Sequence, residues 1–106
     1  MKTIYLKNGR PKLLVEFELF DNANPEVWEL FKKFAFQAIQ SNRSHYSAHA
    51  IIHRIRWHVH IETNRTDDFK INNNHFPYYA RKFDREFPQY RGFFMTRVAQ
   101  GDIEVA

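Results

Sequence analysis

Cysteine is missing from this chain of 106 residues. Its absence excludes disulfides, thiolate metal sites and a thiol nucleophile, and it fits a reducing cytoplasm. Long apolar runs are also missing. The sequence therefore predicts neither a signal peptide nor a membrane span, and a soluble cytoplasmic protein without a membrane partner is expected. With only three Gly and four Pro, the chain has too few breakers for a linker or a low-complexity tail. It contains no Gly-rich phosphate loop, no Gly-x-Ser-x-Gly elbow and no Cys-His dyad. The carboxylates are dispersed: Asp67 and Asp68 fall in a polar turn, Asp84 and Glu86 in a late helix. Nothing gathers the acids that magnesium-dependent hydrolysis needs, so no catalytic residue and no cofactor are assigned.

Aromatic residues, by contrast, make up 17% of the chain, and eleven residues are Phe. The length suffices for one hydrophobic core without metal or disulfide staples. Residues 1–106 are therefore read as a single domain, with 1–23 a variable N-terminal segment and 24–98 the core. Sixteen Lys and Arg against twelve Asp and Glu leave a net charge of +4. The surplus lies between Arg43 and Arg91, where nine basic residues meet five acidic ones. That balance permits nucleic-acid binding without requiring it.

Periodicity supplies the elements. Lys7-Asn8-Gly9-Arg10 is a tight-turn signal that allows a hairpin from Thr3 to Val15, but Leu13, Leu14, Phe17 and Phe20 recur at helical spacing and favour a short helix ending at Asn22. Asn24-Pro25-Glu26 predicts a helix start, and Pro25 to Gln40 would bury Val27, Leu30, Phe31, Phe34 and Ala38. Trp28, Phe36 and Ile39 fall off that face, as further core or as a contact patch. A helix capped by Ser44 is expected to run to Trp57 on a stripe of Ala48, Ile51, Ile52 and Ile55. The period then changes to two, which predicts a strand Trp57–Ile61 with Trp57, Val59 and Ile61 inward, a turn, and a partner strand Phe69–Asn72. A last helix, capped at Asn73 or Asn74, would bury Phe76, Tyr79, Ala80, Phe83 and Phe87 before Pro88 stops it. Residues 91–97 form a closing strand or packed coil, and the tail frays from Gln100. Helix, helix, hairpin is the layout of a winged helix, with a helix-turn-helix inside it. The expected fold is mainly α with a small β-hairpin, a winged-helix-like α+β domain.

The side chains that fit a nucleic-acid partner are Arg43, Arg54, Arg56, Arg65 and Lys70 for phosphates, with Ser47, His49 and His53 placed for base edges. Asn72, Asn73 and Asn74 are adjacent amides suited to adenine edges or phosphates, or else to a turn and a helix cap. Arg81, Lys82 and Arg85, beside Tyr78, form a second cationic face on the last helix that competes for the contact. Six histidines also raise metal chemistry. His45, His49 and His53 follow one helical line, and His58, His60 and Glu62 alternate on one strand face. Arg54 and Arg56 would repel a cation, and a solvated polar face explains the pattern without one, so no metal is assigned. His58 and His60 would be the first candidates for acid-base work in a nuclease.

Ile55-Arg56-Trp57, Phe69-Lys70-Ile71-Asn72-Asn73-Asn74, Tyr79-Ala80-Arg81, Pro88 and Gly92-Phe93-Phe94-Met95-Thr96-Arg97 together resemble a group of small phage and prophage proteins. The resemblance covers about residues 24–97 and carries no transferable activity. It implies a mobile-element context, in which two partners suit a small basic domain: DNA, or a host defence protein that it inhibits by contact through Trp28, Phe36 and Ile39. The sequence thus points to a non-catalytic duplex-DNA-binding protein, then to a host-protein inhibitor, and third to a histidine-based metal protein or nuclease.

Overall fold

The computed structural model describes residues 11–63 and 69–94. The expected turn at Lys7–Arg10, the wing tip with Arg65, residues 95–97 and the tail from Gln100 lie outside the described residues. Four α-helices carry the fold: α1 Lys12–Ala23, α2 Pro25–Gln40, α3 Ala48–Trp57 and α4 Phe76–Glu86. A π-helical turn, His58–Glu62, continues α3, and short 3-10 turns at Asn73–His75 and Pro88–Tyr90 flank α4. The described residues are about 76% helical and contain no strand.

The helix expected to end at Asn22 forms, spans Lys12–Ala23 and buries Phe17. Asn24 closes it: both its backbone N–H and its side-chain amide donate to the Phe20 carbonyl, at 2.9 and 3.0 Å. The expected side-chain cap on α2 is therefore replaced by a cap on the end of α1. Pro25 still opens α2, where its missing N–H costs nothing. Trp28 is only 6% exposed, its ring stacked on Phe31 at 5.7 Å and Tyr79 at 6.5 Å. Phe36 lies against Phe83, Phe87 and Tyr90. Trp28 and Phe36 are core, along with the half-buried Ile39, so they do not form an exposed contact patch.

α3 begins at Ala48, later than Ser44, for a reason outside its own sequence. The backbone N–H of Tyr46 donates to the Phe93 carbonyl at 2.9 Å, and Tyr46 forms a parallel bridge with Phe94. Residues paired in that way are extended, so the helix starts beyond them, with Ser47 as N-cap accepting from the Ala50 N–H at 3.3 Å. His45 consequently sits outside the helix, its ring nitrogen 3.0 Å from the Ser44 hydroxyl. The α2–α3 connection, Ser41 through Ser47, is longer than the turn of about 3–4 residues in a helix-turn-helix.

The hairpin is the main correction to the sequence expectation. His58–Glu62 is helical, because Val59 extends the inward stripe of Ile51, Ile52 and Ile55 at a spacing of four and is itself 5% exposed. Trp57 and Ile61, which the strand would have buried beside Val59, are 57% and 53% exposed. Phe69 and Ile71 are buried without strand pairing among the described residues. A winged helix is thereby excluded, and the domain is an all-helical bundle in its described part.

His75 marks the α1–α4 junction. Its ring is 4% exposed, 5.8 Å from the rings of both Phe17 and Phe20, and neither ring nitrogen has a hydrogen-bond partner among the described residues. Burial pushes its pKa below the ordinary histidine value, and the nearby Glu16 charge opposes the shift only in part. The unfolded chain therefore takes up a proton here before the folded one. Stability from this site is full above the unfolded pKa of about 6.5 and is lost as pH falls toward the folded value. His75→Phe should lose less melting temperature than the parent between about pH 7 and about pH 5. Equal losses in the two proteins, followed by circular dichroism, would contradict this.

Candidate nucleic-acid interface

α3 presents three chemically different strips. Its inward strip is the isoleucine and valine stripe. Arg54 and Arg56 lie two residues apart, about 200° around the axis, and leave on opposite flanks. Arg54 covers the Phe34 ring of α2 at 4.5 Å, while Arg56 covers the Phe76 ring of α4 at 5.2 Å. The two guanidinium groups therefore do not share one outward side.

On the Arg54 flank the charge is largely neutralised. Arg54 donates to both Glu62 carboxylate oxygens, at 2.8 and 3.3 Å, and His58 Nδ1 lies 2.8 Å from the same carboxylate. These contacts, Arg54 first and His58 second, hold the Glu62 carboxyl below its ordinary pKa. His58, His60 and Glu62 were expected on one strand face. In the helical turn His58 engages Glu62, while His60 lies 6.4 Å from the Phe69 ring. Among the described residues no group of three or more His, Asp or Glu is disposed to hold a metal ion.

The Arg56 flank gathers more of the expected residues. Arg56 donates at 2.7 Å to both the Ile71 carbonyl and Asn73 Oδ1, and approaches His53 Nδ1 at 3.4 Å. His49 packs edge-on against Phe76 at 4.7 Å, with His53 at 6.3 Å from the same ring. These contacts bring His49, His53, Arg56 and Asn73 together, and the exposed Lys70 and Asn74 are the chain neighbours of Ile71 and Asn73. Two of the predicted base readers have structural duties instead. The Ser47 hydroxyl is the α3 cap, and the Asn72 side chain accepts from the Asn74 N–H at 2.8 Å.

The second cationic face, on α4, is reduced by internal contacts. Lys82 pairs with Asp21 of α1 at 2.5 Å and lies 4.6 Å above the Trp28 ring. Tyr78 is buried and stacked on Phe17 at 5.4 Å, with Arg81 over it at 5.9 Å. Arg85 is exposed. Arg43, in the first half of the α2–α3 connection, lines the same cavity as Arg54, away from the Arg56 flank.

Sequence reading missed two features of the chain through α3. The exposed pair Trp57 and Ile61 was hidden by the alternating pattern; the four-residue step from Ile55 to Val59 was the available signal. The second is the acid-free run from Leu30 to Ile61, with five Lys and Arg and five His in 32 residues. The chain matches no protein-family description, no curated protein and no solved structure.

Arg56 joins α3 to the 71–73 segment through half-buried, charge-assisted hydrogen bonds. Arg56→Ala should therefore destabilise the domain by about 1–2 kcal/mol, and Arg56→Lys, which keeps a charge without the planar fork, should restore only part of it. Urea unfolding of the three proteins checks this; an unchanged midpoint for Arg56→Ala would show that the bonds are not formed in solution.

Proposed function

We propose that this protein is a non-catalytic nucleic-acid-binding domain that applies the Arg56 flank of α3 to duplex DNA. The observation that carries the reading is the acid-free run from Leu30 to Ile61. Its exposed members His49 and His53 line the Arg56 flank, and the exposed Lys70 and Asn74 adjoin in sequence the two residues, Ile71 and Asn73, that Arg56 binds. A segment rich in donors and free of carboxylates attracts phosphates at long range and hydrogen-bonds them at contact. The phage and prophage resemblance suits a small DNA-binding accessory of this kind.

Because Arg56 also supports the fold, the informative variants are at exposed residues whose side chains make no hydrogen bond among the described residues. Duplex affinity, followed by fluorescence anisotropy, should fall at least about tenfold between about 50 and about 200 mM salt. Combined Lys70→Glu and His49→Glu should remove most of what remains at either salt concentration, with the fold retained by circular dichroism and the melting temperature lowered by no more than the loss of the His49–Phe76 ring contact. No binding at low salt, or full binding by that double variant, would overturn the proposal.

A second reading rests on the exposure of Trp57 and Ile61, since an exposed Trp beside an exposed Ile suits the centre of a protein contact. If a host protein is the partner, Trp57→Ala will abolish that association and leave duplex affinity intact.

A further inference from the structure

A cavity of about 270 Å³ opens between the end of α2 and the start of α3, on the flank away from the proposed duplex contact. Its walls include Phe34, Gln37, Arg43, Tyr46, Ile51 and Arg54. Each guanidinium lies over an aromatic ring: Arg43 is 5.7 Å from the Tyr46 centroid and Arg54 is 4.5 Å from that of Phe34. Arg54 shares its charge with Glu62. Arg43 has no hydrogen bond or ion pair among the described residues, and neither do the Gln37 amide and the Tyr46 hydroxyl. The pocket therefore holds one uncompensated cation, two unused polar groups and a partly exposed tyrosine ring above an apolar floor.

We propose that this pocket binds a nucleoside 5′-monophosphate unit. The phosphate would lie on Arg43 and the free edge of Arg54, the geometry that guanidinium groups serve best. The base would stack on Tyr46, with the Gln37 amide at its edge. At about 270 Å³ the cavity falls just below the range of about 300–1,000 Å³ of ligand-sized sites, so it suits one nucleotide unit held partly in solvent rather than an extended strand. The walls are anchored: Tyr46 is tied by its backbone to Phe93, and Ile51 belongs to the buried stripe of α3. This inference does not depend on duplex binding, which uses the opposite flank.

The test is a titration of the isotope-labelled full chain, followed by NMR, with adenosine 5′-monophosphate, adenosine and inorganic phosphate. The expected result is saturable binding of the monophosphate, with shifts centred on Gln37, Arg43 and Tyr46. Adenosine and phosphate should each bind at least about tenfold more weakly, and Arg43→Gln should weaken the monophosphate about tenfold with unchanged melting. Two oligonucleotides, one with a 5′-phosphate and one with a 5′-hydroxyl, identify the source. A preference for the phosphorylated strand assigns a strand end; no preference assigns the free nucleotide. The proposal is overturned if the monophosphate does not saturate at millimolar concentration, binds no better than phosphate, or is indifferent to Arg43→Gln. None of these results bears on the duplex contact, which is read from Lys70 and His49.

Discussion

The burial of one stripe, Ile51, Ile52, Ile55 and Val59, determines what the rest of this structure can be. At about 1.5–3 kcal/mol for each fully buried branched side chain, the stripe outweighs any single polar contact that α3 makes. It forces the chain to remain helical through Val59, and so commits His58–Glu62 to a helical turn. Once the stripe is inward, helical geometry sends Arg54 and Arg56 to opposite flanks. There they cover Phe34 and Phe76, one ring from each neighbouring helix. Contacts of this kind contribute about 0.5–1 kcal/mol each at exposed sites. They are too weak to place the helix, and strong enough to favour one rotation of it between α2 and α4.

That division gives α3 two electrostatic faces from a single cationic sequence. The Arg54 flank acquires Glu62 and becomes locally balanced, leaving Arg43, beside a small cavity, without an ion pair among the described residues. The Arg56 flank acquires Asn73 and two histidines, and its guanidinium is occupied with holding the fold. Charge available to a partner therefore comes less from the α3 arginines than from exposed groups around them, such as Lys70 on one flank and Arg43 on the other. Between the flanks, Trp57 and Ile61 form the outer ridge, and their exposure is the consequence of Val59 being buried.

The sequence made the helices legible wherever apolar spacing was local. α1, α2 and α4 follow directly from repeats such as Phe17 with Phe20 and Phe76 with Tyr79, Ala80 and Phe83. The start of α3 was not legible, because it depends on Tyr46 bonding to Phe93, a contact between distant segments. The hairpin failed for a different reason. Trp57, Val59 and Ile61 alternate perfectly, but Val59 also continues the helical stripe at four residues from Ile55, and only the presence of a core for Val59 decides between the two periods. Of the candidate site, the association of His53, Arg56 and Asn73 was foreseeable as a shared polar surface. The separation of Arg54 from Arg56 was equally foreseeable once both were placed on one helix two residues apart. What composition could not reveal was which cations would find internal partners: Lys82 with Asp21, and Arg54 with Glu62.

The central claim is that the two flanks of α3 are chemically distinct and that only one of them meets duplex DNA. Backbone chemical-shift mapping during titration with a short duplex tests this most directly. The account predicts shifts confined to His49, His53, Lys70 and Asn73–Asn74, with Arg43, Arg54 and the α4 residues Arg81 and Arg85 unmoved. Shifts centred on α4, or spread equally over both flanks of α3, would contradict it.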